Sequence, residues 1–463
     1  MLDLSTLQYV QITAALLAAQ LVFILGYIYP RLMVGFLIVT LPFQVVDSQY
    51  GSINVALIYM TTLSAFVSRK ISIRQAPLMF PVILALWLVT LVYIVALFNN
   101  PTPMLVHKVT YLIGFFSNVA LLFLIYATIN TESDIHHFLK LLLIVNILIL
   151  GYCTIQFFAG FKGVVPFGIK EFAFIENRLH EGIDERRLMG PFLGAGLLAE
   201  YFALMQFIHG YTLFTTGRRK IVTILVMFGN FCAMVGTGNR GAPIALTIGC
   251  LICLYVFRKT LSFNKVFKIS SFGIGLLLVA SFLMINFTQF NVLYRRFVNT
   301  EIHGITPDTR GGWPEYIKKG MEAPLLGRGG VRMVLPSDLY SSSGQRRPGI
   351  PLNEAMAYPH SLYIYVFYTL GIFGLAVYSL LVITLYYFFF QVGKWQANNR
   401  FLHGLPKLAT VLLTVFLIDQ FKLEFLRHNY VDYQNIIFSI FGMFLAYPKV
   451  INNGAYTHDK NGS

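Results

Sequence analysis

Charge is scarce in this chain: 12% of its 463 residues are Asp, Glu, Lys or Arg, against roughly 25% in an ordinary soluble domain. Hydrophobic residues make up 56%, and the mean hydropathy is +0.67. A compact soluble fold of this size cannot bury that much apolar surface, so a soluble enzyme and a disordered protein are both excluded. Cysteine is also sparse. Cys153, Cys232, Cys250 and Cys253 all lie in apolar segments, which excludes a secreted disulfide scaffold. The CxxC spacing of Cys250 and Cys253 reads as packing inside a span rather than as a metal or redox pair. No HExxH, DxD-like pair or His/Cys cluster is present, so the sequence offers no metal site and no cofactor motif. An internal repeat and a separate soluble domain are likewise missing.

What the chain does have is a succession of apolar runs, each near the roughly 20 residues that a bilayer core requires. They fall near residues 9–29, 31–46, 52–67, 78–98, 109–129, 141–160, 191–215, 221–238, 242–257, 269–287, 361–392, 406–421 and 433–448. The second is short enough for a re-entrant piece, which gives 12–13 transmembrane helices in an all-α polytopic membrane protein. The first run, long enough to stay in the membrane, is read as a span rather than a cleaved signal. Basic clusters at Arg69–Arg74, Arg218–Lys220, Arg258–Lys268 and Lys394–Lys407 alternate to one side, which is taken as the cytoplasm. The His136–His137 loop is the weak member of that series. The organisation is then 1–186, N-terminal helices and a smaller outer loop; 187–392, a core containing the large outer loop 288–358; and 393–463, C-terminal helices and a cytoplasmic tail.

The formal charge of +15 comes from 35 Lys+Arg against 20 Asp+Glu. The large outer loop alone holds nine basic residues and six acids. The positive-inside preference does not call for basic outer loops, so an anionic ligand explains this one better than topology does. Nucleic acid is not the expected partner of a chain on this side of a membrane.

Four constellations carry possible chemistry. Gly236-Thr-Gly-Asn-Arg240-Gly-Ala-Pro243 lies between two apolar runs. A helix beginning near Gly241 would present free backbone N–H groups beside Arg240, an anion site; a snorkelling arginine satisfies the same pattern. Asp308-Thr-Arg310-Gly-Gly-Trp313 and Ala323-Pro-Leu-Leu-Gly327-Arg328-Gly329-Gly330 combine Gly-rich backbone with guanidinium forks suited to phosphate oxygens. Trp313 suits a headgroup, a sugar face or an interfacial anchor. Tyr358-Pro359-His360-Ser361 opens a long apolar helix carrying Gly371 and Gly374. A first-turn imidazole there is favoured in its neutral form and can accept a proton from a sugar hydroxyl, although a capping or interfacial histidine gives the same sequence. Arg186-Arg187-Leu-Met-Gly190-Pro-Phe192 ends the smaller outer loop, where a salt bridge to Asp184 or Glu185 is the competing explanation.

In this order the segments resemble the bacterial O-antigen ligase superfamily, which includes the Wzy-type polysaccharide polymerases. The matching residues are Arg187/Gly190/Phe192, Arg240-Gly-Ala242, Asp308/Arg310/Trp313, Pro324/Gly327/Gly329, Pro359-His360-Ser361 and Gly371/Gly374. No single motif is specific; their order and topology are. Leu193-Gly-Ala-Gly196 departs from the family's Asn-Pro-Asn-like stretch, and Ser341–Pro348 is unusual.

The resemblance implies a GT-C-like, metal-independent glycosyltransferase with no cofactor, multi-pass in the bacterial inner membrane, its active site facing the periplasm. The donor is an undecaprenyl-diphosphate-linked glycan, whose pyrophosphate is held by Arg240 and Arg310 with Arg187 supporting. His360 orients or deprotonates the acceptor hydroxyl, so the catalytic set is His360, Arg310 and Arg240, backed by Asp308, Trp313, Arg328 and Ser361. The acceptor is lipid A–core in a ligase, which is preferred, or a second lipid-linked glycan in a polymerase. The reading from another class is a lipid-linked glycan flippase or other transporter. Transporters place polar groups at the midplane and show internal repeats, whereas these charges sit at one face.

Overall fold

A computed structural model describes residues 17, 19–43, 47–48, 51–68, 78–99, 105–158, 187–192, 194–217, 219–258, 275, 282, 313–328, 361–395, 399–421, 426 and 431–460. The chain is an all-α polytopic membrane protein. Its helices are α1 (Ala19–Ile28), α2 (Pro30–Thr40), α3 (Ile53–Val67), α4 (Met79–Asn99), α5 (Leu105–Thr128), α6 (Glu132–Phe158), α7 (Ala195–Thr216), α8 (Lys220–Gly236), α9 (Gly241–Phe257), α10 (Trp313–Gly320), α11 (Leu362–Val392), α12 (Arg400–Asp419), α13 (Val431–Leu445) and α14 (Tyr447–Lys460). A two-residue hairpin, Asp47–Ser48 against Gly51–Ser52, precedes α3. Among the described residues, six helical stretches are long and apolar enough to cross a membrane, and five shorter apolar helices accompany them. The short second run is the eleven-residue α2, which starts at Pro30. Tyr29 N–H donates to Leu25 (2.7 Å) and Met33 N–H to Tyr29 (3.1 Å), which carries the chain from α1 into α2 across the proline.

α7 is the central helix, with sixteen residues from Ala195 to Tyr211 buried. A helix that is apolar all round belongs inside a bundle, and α7 is packed by α8, α9 and α12. α5 lies along α13, and α4 along α11. Side-chain amides join neighbouring helices: Asn146 Nδ2 donates to Asn230 (2.6 Å) and Asn118 Nδ2 to Gln434 (2.9 Å). Such bonds help helices associate where lipid supplies no hydrophobic drive. Trp87, Ile221, Leu251 and Phe390 are largely exposed, as expected of side chains that meet acyl chains. All four cysteines are free of disulfides.

Contacts sort the helix ends. Asn399, the N-cap of α12, donates to Glu132 at the start of α6 (2.7 Å). Lys449 Nζ donates to the Tyr126 carbonyl near the end of α5 (2.5 Å), Asn453 to Asn130 (3.1 Å), and the Tyr211 hydroxyl to Phe401. A lysine on the last carbonyls of a helix satisfies orphan acceptors and complements the dipole. The starts of α6, α8 and α12 and the chain's last helix therefore lie at one end. The ends of α6, α8 and α12 and the starts of α7, α9 and α11 lie at the other.

α11 is not continuous. Gly371 adopts φ 68°, ψ −165°, outside the helical region. The broken turn is completed by the segment after α10: Arg328 N–H donates to the Tyr368 carbonyl (2.9 Å), while Ile372 and Phe373 N–H donate to Pro324 (2.8 Å) and Leu325 (3.3 Å). Gly327, with φ +69°, lies directly against this break: a Cβ on it would stand 2.4 Å from the Thr369 carbonyl carbon, and one on Gly371 2.3 Å from the Leu325 oxygen. The Pro-x-x-Gly and Gly-x-x-Gly motifs are thus two halves of one backbone joint. Gly371→Ala should cost about 1–3 kcal/mol from a positive-φ backbone conformation that essentially only glycine adopts, with steric overlap in addition. The apparent melting temperature of the detergent-purified protein should fall by several degrees. Gly151→Ala is the control: a Cβ there meets nothing within 4 Å, so its melting temperature should hold or rise.

Candidate active site

The Arg187 segment crosses the end of the bundle as a short strap. Its Leu188 N–H donates to the Gly236 carbonyl (3.0 Å), and Met189 and Gly190 N–H both donate to Gln156 Oε1 (3.2 and 3.1 Å), fixing it to the ends of α8 and α6. Arg187 Nε donates to the Thr237 carbonyl at 2.7 Å. Three residues on, half-buried Arg240 is the N-cap of α9. The intervening turn is braced from within: Asn239 Oδ1 accepts Gly241 N–H (2.7 Å), and the Thr237 hydroxyl accepts Asn239 N–H (3.2 Å). Arg187 and Arg240, far apart in sequence, therefore belong to one structure. Arg240 sits at a helix junction rather than in mid-helix, where the N–H groups of α9 add partial positive charge.

The segment leads on through a 3-10 turn, Gly190–Phe192, into α7. The Phe192 ring packs tilted against Tyr201 (5.3 Å) and edge-on to Tyr433 (5.4 Å). Tyr433 in turn lies beside Glu200, as does Asp419 at the end of α12. Glu200 Oε1 accepts from Gln420 Nε2 (2.8 Å), and the Gln420 carbonyl accepts Leu362 N–H (2.9 Å). Leu362 begins α11, after buried Ser361. The starts of α7, α9 and α11 thus gather at one end of the bundle. No third His, Cys, Asp or Glu joins Glu200 and Asp419 in a metal-holding group among the described residues.

Trp313 opens α10 and is half-buried; Tyr316 meets Tyr368 edge-on at 5.3 Å, which seats α10 on α11. Arg328 forms an ion pair with Glu322, and its backbone is held by Tyr368. The neighbouring Gly327 makes room for the backbone of α11, a structural use of a glycine that the sequence suggested for phosphate approach. Arg310, His360 and Asp308 lie outside the described residues. The sequence reading passed over Glu200, Asp419 and Gln420, although a carboxylate inside an apolar run signals function by default.

A comparison with curated proteins gives no match. Residues 223–379 match the family model for O-antigen ligase, a stretch that runs from α8 through the Arg240 turn into α11. Over that stretch the chain is therefore similar to the O-antigen ligase family, in agreement with the motif order that resembles the O-antigen ligase/Wzy-type superfamily.

Proposed function

We propose that the protein transfers a glycan from undecaprenyl diphosphate to an acceptor hydroxyl on the periplasmic face of the inner membrane, as an O-antigen ligase using lipid A–core. The observation that carries this reading is the family match over the Arg240 turn and the His360 helix, with Arg187 fastened to that same turn. The acceptor oxygen attacks the anomeric carbon, and the bond from that carbon to the diphosphate oxygen breaks. The hydroxyl proton passes to the His360 imidazole, and undecaprenyl diphosphate leaves. Charge grows on the leaving diphosphate, where Arg240 and Arg310 neutralise it; preorganised cations act most strongly where charge develops.

The test is to incubate purified protein with the lipid-linked glycan and either lipid A–core or a second lipid-linked unit, and to resolve the products by size. A ligase gives a single transfer to lipid A–core. A ladder from lipid-linked glycan alone assigns the protein as a polymerase. No product from either acceptor, together with movement of the donor between leaflets of a vesicle, overturns the enzyme reading in favour of transport.

A further inference from the structure

The start of α11 is fixed by another helix rather than by itself. An N-cap serine ordinarily accepts a hydrogen bond from the first-turn backbone, yet Ser361, extended at φ −154° and ψ 124°, makes no such side-chain bond. Instead the first N–H of the helix, that of Leu362, donates to the Gln420 carbonyl at 2.9 Å. Gln420 is fully buried (0% exposed) and is itself gripped by Glu200, 1% exposed, through the 2.8 Å Nε2–Oε1 bond. Burying a carboxylate beside a second one, Asp419, is costly, and an apolar pair would join α7 to α12 at less cost. The arrangement gains something apolar packing does not supply: a directional bond that sets where α11 begins. His360 is two residues before Leu362 in the chain.

We propose that Glu200 is a positioning residue. Acting through Gln420, it holds the Ser361–Leu362 backbone in register, and turnover by His360, the preceding residue in the chain, depends on that register. The inference rests on the reading of His360 as the base. Misplacing a reacting group by about 1 Å can cost on the order of 100-fold in rate, so a contact this close in the chain has a large effect on turnover. Among the described residues, the ionisable groups that interact with Glu200 are Asp419 and Tyr433.

The experiment uses the detergent-purified full chain, the lipid-linked glycan donor, steady-state kinetics and hydrogen exchange of the peptide containing Leu362. Glu200→Ala should lower kcat by roughly tenfold or more, leave the donor KM within about twofold, and speed amide exchange at Leu362. Glu200→Gln keeps an oxygen for Gln420 and should restore both readouts. Gln420→Met, which loses the side-chain amide but keeps the backbone carbonyl, should reproduce Glu200→Ala and serves if that variant does not fold. In a His360→Ala background, Glu200→Ala should cost nothing further. An additive loss in that background, unchanged exchange at Leu362, or an inactive Glu200→Gln overturns the proposal while His360 keeps its role. Full activity in His360→Ala instead removes the reading beneath it.

Discussion

Arg240→Ala is expected to lower glycan transfer by roughly 100-fold or more, the scale seen when one preorganised charge-stabilising donor is lost, with protein level and melting temperature unchanged. The side chain is half-buried at the first residue before α9, so truncation removes a guanidinium without opening the core. Its effect should fall on kcat, because the diphosphate gains charge only as the sugar leaves. Arg240→Lys should rescue in part: a point charge remains, but the bidentate fork is gone. Arg310→Ala should behave alike. Arg187→Ala should do less. Its Nε bond to Thr237 braces the turn that carries Arg240, so its loss reaches the diphosphate only through that turn while the Arg240 charge remains. Transfer assays with purified protein decide each case, and wild-type turnover in Arg240→Ala would remove that residue from the site.

The fold class was legible because composition decides it: a chain this apolar has only a bilayer to dissolve in, and helices are the economical way to satisfy its backbone there. Membrane crossings were harder to count. α2 has eleven residues and α9 seventeen, and an apolar run carries no mark of where Pro30 restarts a helix. The Arg240 turn was legible from Gly, Asn, Arg and Pro at a helix junction. Its clasp by Arg187 was not, since the bond joins a side chain to a carbonyl 50 residues away, and carbonyls have no sequence signature. Gly371 illustrates the same limit. Glycines are common in membrane helices, and the partner that requires this one, the Pro324–Gly327 turn, lies across a long loop. Glu200 and Gln420 were visible as polar residues in or beside apolar runs, but their significance depends on α7 and α12 meeting, which only packing reveals.

His360→Ala should reduce transfer by about 100-fold or more, the usual scale for a lost general base, while excess EDTA leaves wild-type turnover intact. In the chain the residue precedes Ser361, whose extended backbone leads directly into α11. The positive end of a helix dipole disfavours a protonated ring in the first turn, which is the expectation for this histidine. A neutral imidazole can accept a proton without help from a metal. Transfer should consequently decline as pH falls and the ring becomes protonated, and this acid limb should vanish in His360→Gln along with most of the activity. If the histidine merely positioned the acceptor by donating a hydrogen bond, His360→Gln would keep substantial turnover, because an amide donates as well. Comparing Ala, Gln and wild type across pH therefore separates a base from a donor. Metal independence is decided separately: if EDTA abolished turnover and a divalent cation restored it, the neutral imidazole would not be acting alone, whatever the His360 variants gave.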